Sequence, residues 1–89
     1  MPRFFFDLTT NDEVSVDKLG EHCRDVQHAY GEAVRALAEI AAEKIIEAEK
    51  MQMTITVANE KHWVLGKATV CFEPIADQTL LRGEKHKID

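Results

Sequence analysis

The stretch DVQHAYGEAVRALAEIAAEKIIEAEKMQMTITV, residues 25–57, decides the fold, because its apolar period changes from near 3.6 to two at Met51. Before Met51, Val26, Tyr30, Ala33, Leu37, Ile40, Ala41, Ile45 and Ala48 recur three or four residues apart and share one helical stripe. The many alanines favour the helix, and Gly31 weakens it locally by about 1 kcal/mol relative to alanine. Asp25 stands where its carboxylate can accept from the free amides of the first turn. The spacing predicts a helix from Val26 to about Lys50. From Met51 onward, Met53, Ile55 and Val57 face one way and Gln52, Thr54 and Thr56 the other, as in a half-buried strand.

Asn59-Glu60-Lys61-His62 reads as a turn without the usual glycine. Trp63–Glu73 then forms the longest strand, with Val64, Ala68, Val70 and Phe72 on one face, and Pro74 ends it because proline cannot donate to a ladder. Upstream, Arg3–Leu8 is an aromatic-rich strand, Thr9–Asp12 a turn of four residues, and Glu13–Asp17 a second strand with clean alternation. Lys18–Arg24 is a connector with Gly20 as its turn residue. The order ββαββ implies an α+β domain: one four-stranded, mostly antiparallel sheet with a single long helix packed on one face. The favoured spatial order is second, first, third, fourth strand. A sheet with the second and third strands parallel at its centre is the alternative. Residues 1–74 make this single domain and 75–89 a charged tail, in which Asp77–Arg82 before Gly83 fits a short helix as well as it fits disorder.

A chain of 89 residues is one domain with a thin stability margin. Its net charge of −5 argues against a nucleic-acid partner, which needs a basic footprint, and against docking on an anionic membrane. The two cysteines, Cys23 and Cys71, are too few for a disulfide framework. No signal-peptide pattern or membrane-length apolar run is present, so a cytoplasmic location with reduced thiols is the expectation.

The opening Met1-Pro2-Arg3-Phe4-Phe5-Phe6-Asp7-Leu8 resembles that of a family of small bacterial proteins, catalogued as domain of unknown function 6894, whose members commonly open Met-Pro-Arg-Tyr-Phe-Phe-Asp-Leu. Asp17 and Gly20 fall where the family often carries Asp-x-x-Gly before its helix. Asp25, Ala29, Glu32, Ala33 and Leu37 fit its helix opening. The likeness covers about residues 2–73. His22-Cys23 departs from it, since the family tends to be aliphatic or acidic there. The resemblance implies a fold pattern and no activity, so no catalytic residue is carried over.

The residues with chemical potential do not assemble into a known motif. His22, Cys23, His28, His62 and Cys71 match no closed zinc spacing, so neither a metal nor another cofactor is expected. Glu39, Glu43 and Glu47 share a helix face with lysine and arginine neighbours, as a solvated charged face does. Ser15 is the only serine, and no glycine-rich phosphate loop exists. A non-catalytic module is the leading expectation. The alternative is a small thiol-dependent enzyme or redox protein using Cys23 with His22 or His28.

The expected contact residues are Phe5, Trp63, Leu65, Ile45 and Ile46. Alternation turns Phe5, Trp63 and Leu65 away from the helix, where Trp63 or the tail around Leu80 and Leu81 would cover Phe5 if a second subunit does not. A 25-residue helix spans about 37 Å, against ~20–24 Å for strands of six or seven residues. The stripe therefore overhangs through Ile40, Ile45 and Ala48, with Ile46 adding width. Such surface favours a homodimer, or another protein partner. A further mode is strand addition: the second strand carries Glu13 and Asp17 as protected edges do, which leaves the last strand the more available edge.

Overall fold

The computed structural model describes residues 1–44 and 50–74 in full, and Ile45 by its backbone. The elements are β1 (Arg3–Thr10), β2 (Glu13–Ser15), β3 (Glu21–His22), α1 (Val26–Ile45), β4 (Met51–Ala58) and β5 (Val64–Phe72). All pairings are antiparallel, in the order β2-β1-β4-β5, with β3 also on β1. The α+β class, the single helix on a sheet and the second-first-third-fourth order agree with the sequence expectation. The parallel alternative does not occur.

The connector holds the main surprise. Its residues Glu21 and His22 pair with Phe4 and Arg3, while β2 pairs with the other half of β1. Two short strands thus share one edge of β1, and the gap between them falls at Phe6. The Asp17 carboxylate fills that gap: Oδ2 accepts from the Phe6 amide at 3.1 Å, and Oδ1 accepts from the amides of Leu19 (3.1 Å) and Gly20 (3.0 Å). The Asp17 amide in turn donates to Asp7 Oδ1 at 2.9 Å. Gly20 sits at φ +70°, and a Cβ there would stand 2.8 Å from Arg3 Cγ and 2.9 Å from the Phe4 carbonyl oxygen. Only glycine fits this turn without displacing β1.

The β1–β2 loop is two residues, Asn11-Asp12, rather than four. Asn11, at φ 53°, donates its amide to the Gln52 carbonyl at 2.8 Å and accepts from the Gln52 amide at 3.0 Å through Oδ1. It thereby carries the β1–β4 ladder past the end of β1. Asp25 caps α1 as expected, its Oδ1 accepting from the His28 amide at 2.8 Å.

The core lies between α1 and the sheet. Ala29, Ala33, Leu37 and Ala41 are buried against Phe4, Met51, Met53, Ile55, Val57 and Ala68, with Phe6, Leu8 and Val70 packed around them. Three of the four helix positions are alanine, so the helix sits close over the sheet and Met53 fills the space beneath it with no exposed surface.

Element lengths correct one expectation. The described helix has 20 residues, about 30 Å, and β5 has nine, also about 30 Å. Ile40, placed beyond the sheet by the sequence argument, packs against the core. No overhang exists within the described residues. Ile46, Ala48 and the side chain of Ile45 lie outside them, as do residues 75–89 with Leu80 and Leu81. No described helix is long and apolar enough to cross a membrane.

Candidate functional site

The β4–β5 turn is built on Asn59. Its Oδ1 accepts from the amides of Lys61 (2.9 Å) and Trp63 (3.0 Å), its carbonyl accepts from the His62 amide at 2.9 Å, and its own amide donates to the Trp63 carbonyl at 3.0 Å. His62 closes the turn at φ 62°, the left-handed position that glycine fills in most three-residue hairpin loops. A second irregularity follows. Val57 pairs with Gly66 but Ala58 pairs with Val64, so Leu65 is an extra residue on β5.

That bulge reverses the alternation at the start of β5. Val64 was expected on the core face. It instead pairs with Ala58, the partner of the outward-facing Phe5, and is 58% exposed. Trp63 and Leu65 were expected on the outer face. They line a groove together with Phe4 and Val26, on the helix side of the sheet. Trp63 is 65% exposed there, with Lys61 Nζ 5.5 Å from its ring centroid. Phe5 is separate and half-buried, its ring 5.0 Å from that of His62. The ring found against it is that of His62, and the tail with Leu80 and Leu81 lies outside the described residues.

The groove continues along α1. Val26, Tyr30 and Val34 follow one another four residues apart and are all exposed. Tyr30 lies over Gly66, and its hydroxyl donates to the Lys67 carbonyl of β5 at 3.1 Å. Val34 and Ala38 border a second hollow with Leu37, Ala68 and Val70. One flank of the molecule is therefore an apolar helix row beside strand β5, which pairs only with β4 among the described residues. The sequence holds the signal for this row. Positions 29, 33, 37 and 41 make the core series, and 26, 30, 34 and 38 make a second series three residues ahead of it, carrying the larger side chains. The predicted stripe contains Val26 and Tyr30 of this second series but not Val34 or Ala38.

The parts of a thiol site are present but not assembled. Cys23 is fully buried. Burial, then the nearby charges of Glu21, Glu32 and Asp25, push its thiol above the ordinary range, opposite to what a nucleophile requires. His22 engages the Met1 carbonyl at 3.0 Å through Nδ1 and Arg3 at 3.4 Å through Nε2. His28 Nδ1 accepts from the Arg24 amide at 3.0 Å, and Nε2 faces Glu32 at 3.8 Å. No hydrogen bond joins either ring to Cys23. With native protein at neutral pH, alkylation should label exposed Cys71 at the rate of a model thiol and Cys23 at least about tenfold more slowly. A Cys23 that outpaced the model thiol would restore the thiol reading. Among the described residues, no three histidine, cysteine or acidic side chains converge to hold a metal.

Fold and flank together define a small α+β sheet domain whose β5 edge, unpaired among the described residues, lies beside an apolar helix row. The chain belongs to the family described as Domain of unknown function (DUF6894), whose model matches residues 3–71. Searches of curated proteins and of solved structures found no match to the chain.

Proposed function

We propose that this chain is a small non-catalytic protein-interaction module that works by self-association, using the flank formed by α1 and β5. The observation that carries the reading is the row Val26, Tyr30 and Val34, exposed beside Trp63 and Leu65 on one side of the domain. Contiguous apolar surface of this kind is unusual on a protein that stays monomeric, and aromatic residues are enriched at contact sites. Edge strands are usually short, charged or covered, whereas β5 is the longest of the described strands, at nine residues, and carries one charge, Lys67. Phe5 lies off this flank, on the outer face.

Sedimentation equilibrium tests the reading. The chain should approach twice its monomer mass across the micromolar range. Val34→Glu, at an exposed helix position, should keep the fold and weaken association by about tenfold or more, since it buries a charge without a partner. A clean monomer at high micromolar concentration would remove the proposal.

A further inference from the structure

The edge of β5 has defined limits. The bulge at Leu65 interrupts it on one side and Pro74 on the other; its regular ladder to β4 runs Gly66–Phe72, and Glu73 follows it before Pro74. Lys67 and Glu73 carry opposite charges and lie three residues to either side of Val70.

The direction of its outward backbone groups, which no strand among the described residues pairs, follows from side-chain contacts. Thr54 Oγ1 and Thr69 Oγ1 meet at 2.9 Å, as opposed side chains do in the closer pairs, whose residues exchange no backbone bonds with each other. Thr69 therefore presents its N–H and C=O away from β4, and Lys67 and Cys71, two residues to either side, do the same. The bond from Tyr30 to the Lys67 carbonyl agrees, because that oxygen is available to a group outside the ladder.

We propose that two copies of this chain join edge to edge along β5, antiparallel, about a two-fold axis at Val70. The proposal rests on the reading of the chain as a self-associating module and specifies its register. Thr69 then stands opposite the partner's Cys71, so the outward backbone groups of both strands meet and complete a continuous sheet. Ala68 stands opposite the partner's Phe72, small against large. Lys67 faces the partner's Glu73 twice, once on each side of the axis. The hollow between Val34, Ala38 and Val70 lies at the axis, so the helix rows of the two copies adjoin there. The opposite edge offers no equivalent: β2 has three residues and β3 two.

A charge swap tests the register. Lys67→Glu places two like-charged pairs in the interface; Glu73→Lys does the same and also replaces the exposed Lys50–Glu73 ion pair (3.9 Å) with two lysines. Each should weaken the dimer by about tenfold, and the double variant should return to within about threefold of the parent. Independently, Thr69→Cys should give a disulfide-linked dimer with oxidised glutathione as oxidant, because directly opposed strand positions meet disulfide geometry. Thr69→Cys with Cys71→Ser should not cross-link. A dimer that persists without rescue by the swap overturns this register and leaves self-association standing. A chain monomeric throughout overturns both. Slow hydrogen exchange at the Thr69 and Cys71 amides of such a monomer would make residues 75–89 of the same chain the occupant of the edge.

Discussion

Phe4→Ala should lower the unfolding free energy by about 3–5 kcal/mol, the cost of deleting a buried aromatic side chain from a core that cannot collapse around the space. Phe4 is 4% exposed and joins the helix face, β3 and the Gly20 turn. It belongs to the core under the alanine face of α1, it pairs with Glu21, and its carbonyl oxygen lies 2.9 Å from where a Cβ on Gly20 would stand. A domain of this size has roughly 5–10 kcal/mol in all, so the variant should be partly unfolded at 37 °C. Phe5→Ser is the control. Its ring is half-buried against His62, and its loss should cost about 1 kcal/mol. Urea unfolding at constant slope separates the two. Equal losses would mean that β1 does not alternate as described.

The alternation of β1 was readable because a run of three phenylalanines leaves only one register that buries two of them. The strand order was readable for a related reason: a hairpin, a helix and a second hairpin have few ways to cover one helix. Two kinds of feature were not legible. The bulge at Leu65 is marked only by Gly66 inside the strand, a cue that does not fix its position, yet it moves Trp63, Val64 and Leu65 to the faces opposite those expected. Two of the residues chosen as an outer-face patch therefore remain exposed but belong to the flank of α1 and β5. The pairing of Glu21 and His22 with β1 was likewise invisible, because a two-residue strand has no period. Its only trace in the sequence is the Asp-x-x-Gly spacing of Asp17 and Gly20, whose meaning depends on the Phe6 amide eleven residues away from Asp17.

That dependence makes Asp17→Ala the second large effect. Three amides, from Phe6, Leu19 and Gly20, donate to this one carboxylate, and hydrogen bonds to a charged acceptor contribute more than neutral ones. The loss at neutral pH should be about 2–3 kcal/mol. Asp17→Asn should not rescue it fully. Both oxygens of the native side chain accept, and an amide placed with its oxygen toward Leu19 and Gly20 turns its NH2 group on the Phe6 amide. The pH dependence gives a separate readout. Burial acts to raise the Asp17 pKa, but the amides of Gly20, Phe6 and Leu19 outweigh it and hold the carboxyl below its ordinary value. The unfolded chain therefore binds this proton more readily than the folded one. The stabilisation is complete above the unfolded pKa of about 3.9 and declines as pH falls through the lower folded value. The gap in stability between the native chain and Asp17→Asn should be widest near neutrality and should narrow below about pH 4. A gap constant from pH 7 to pH 3 would show that Asp17 acts through its shape alone, and that its charge does not close the space between β2 and β3.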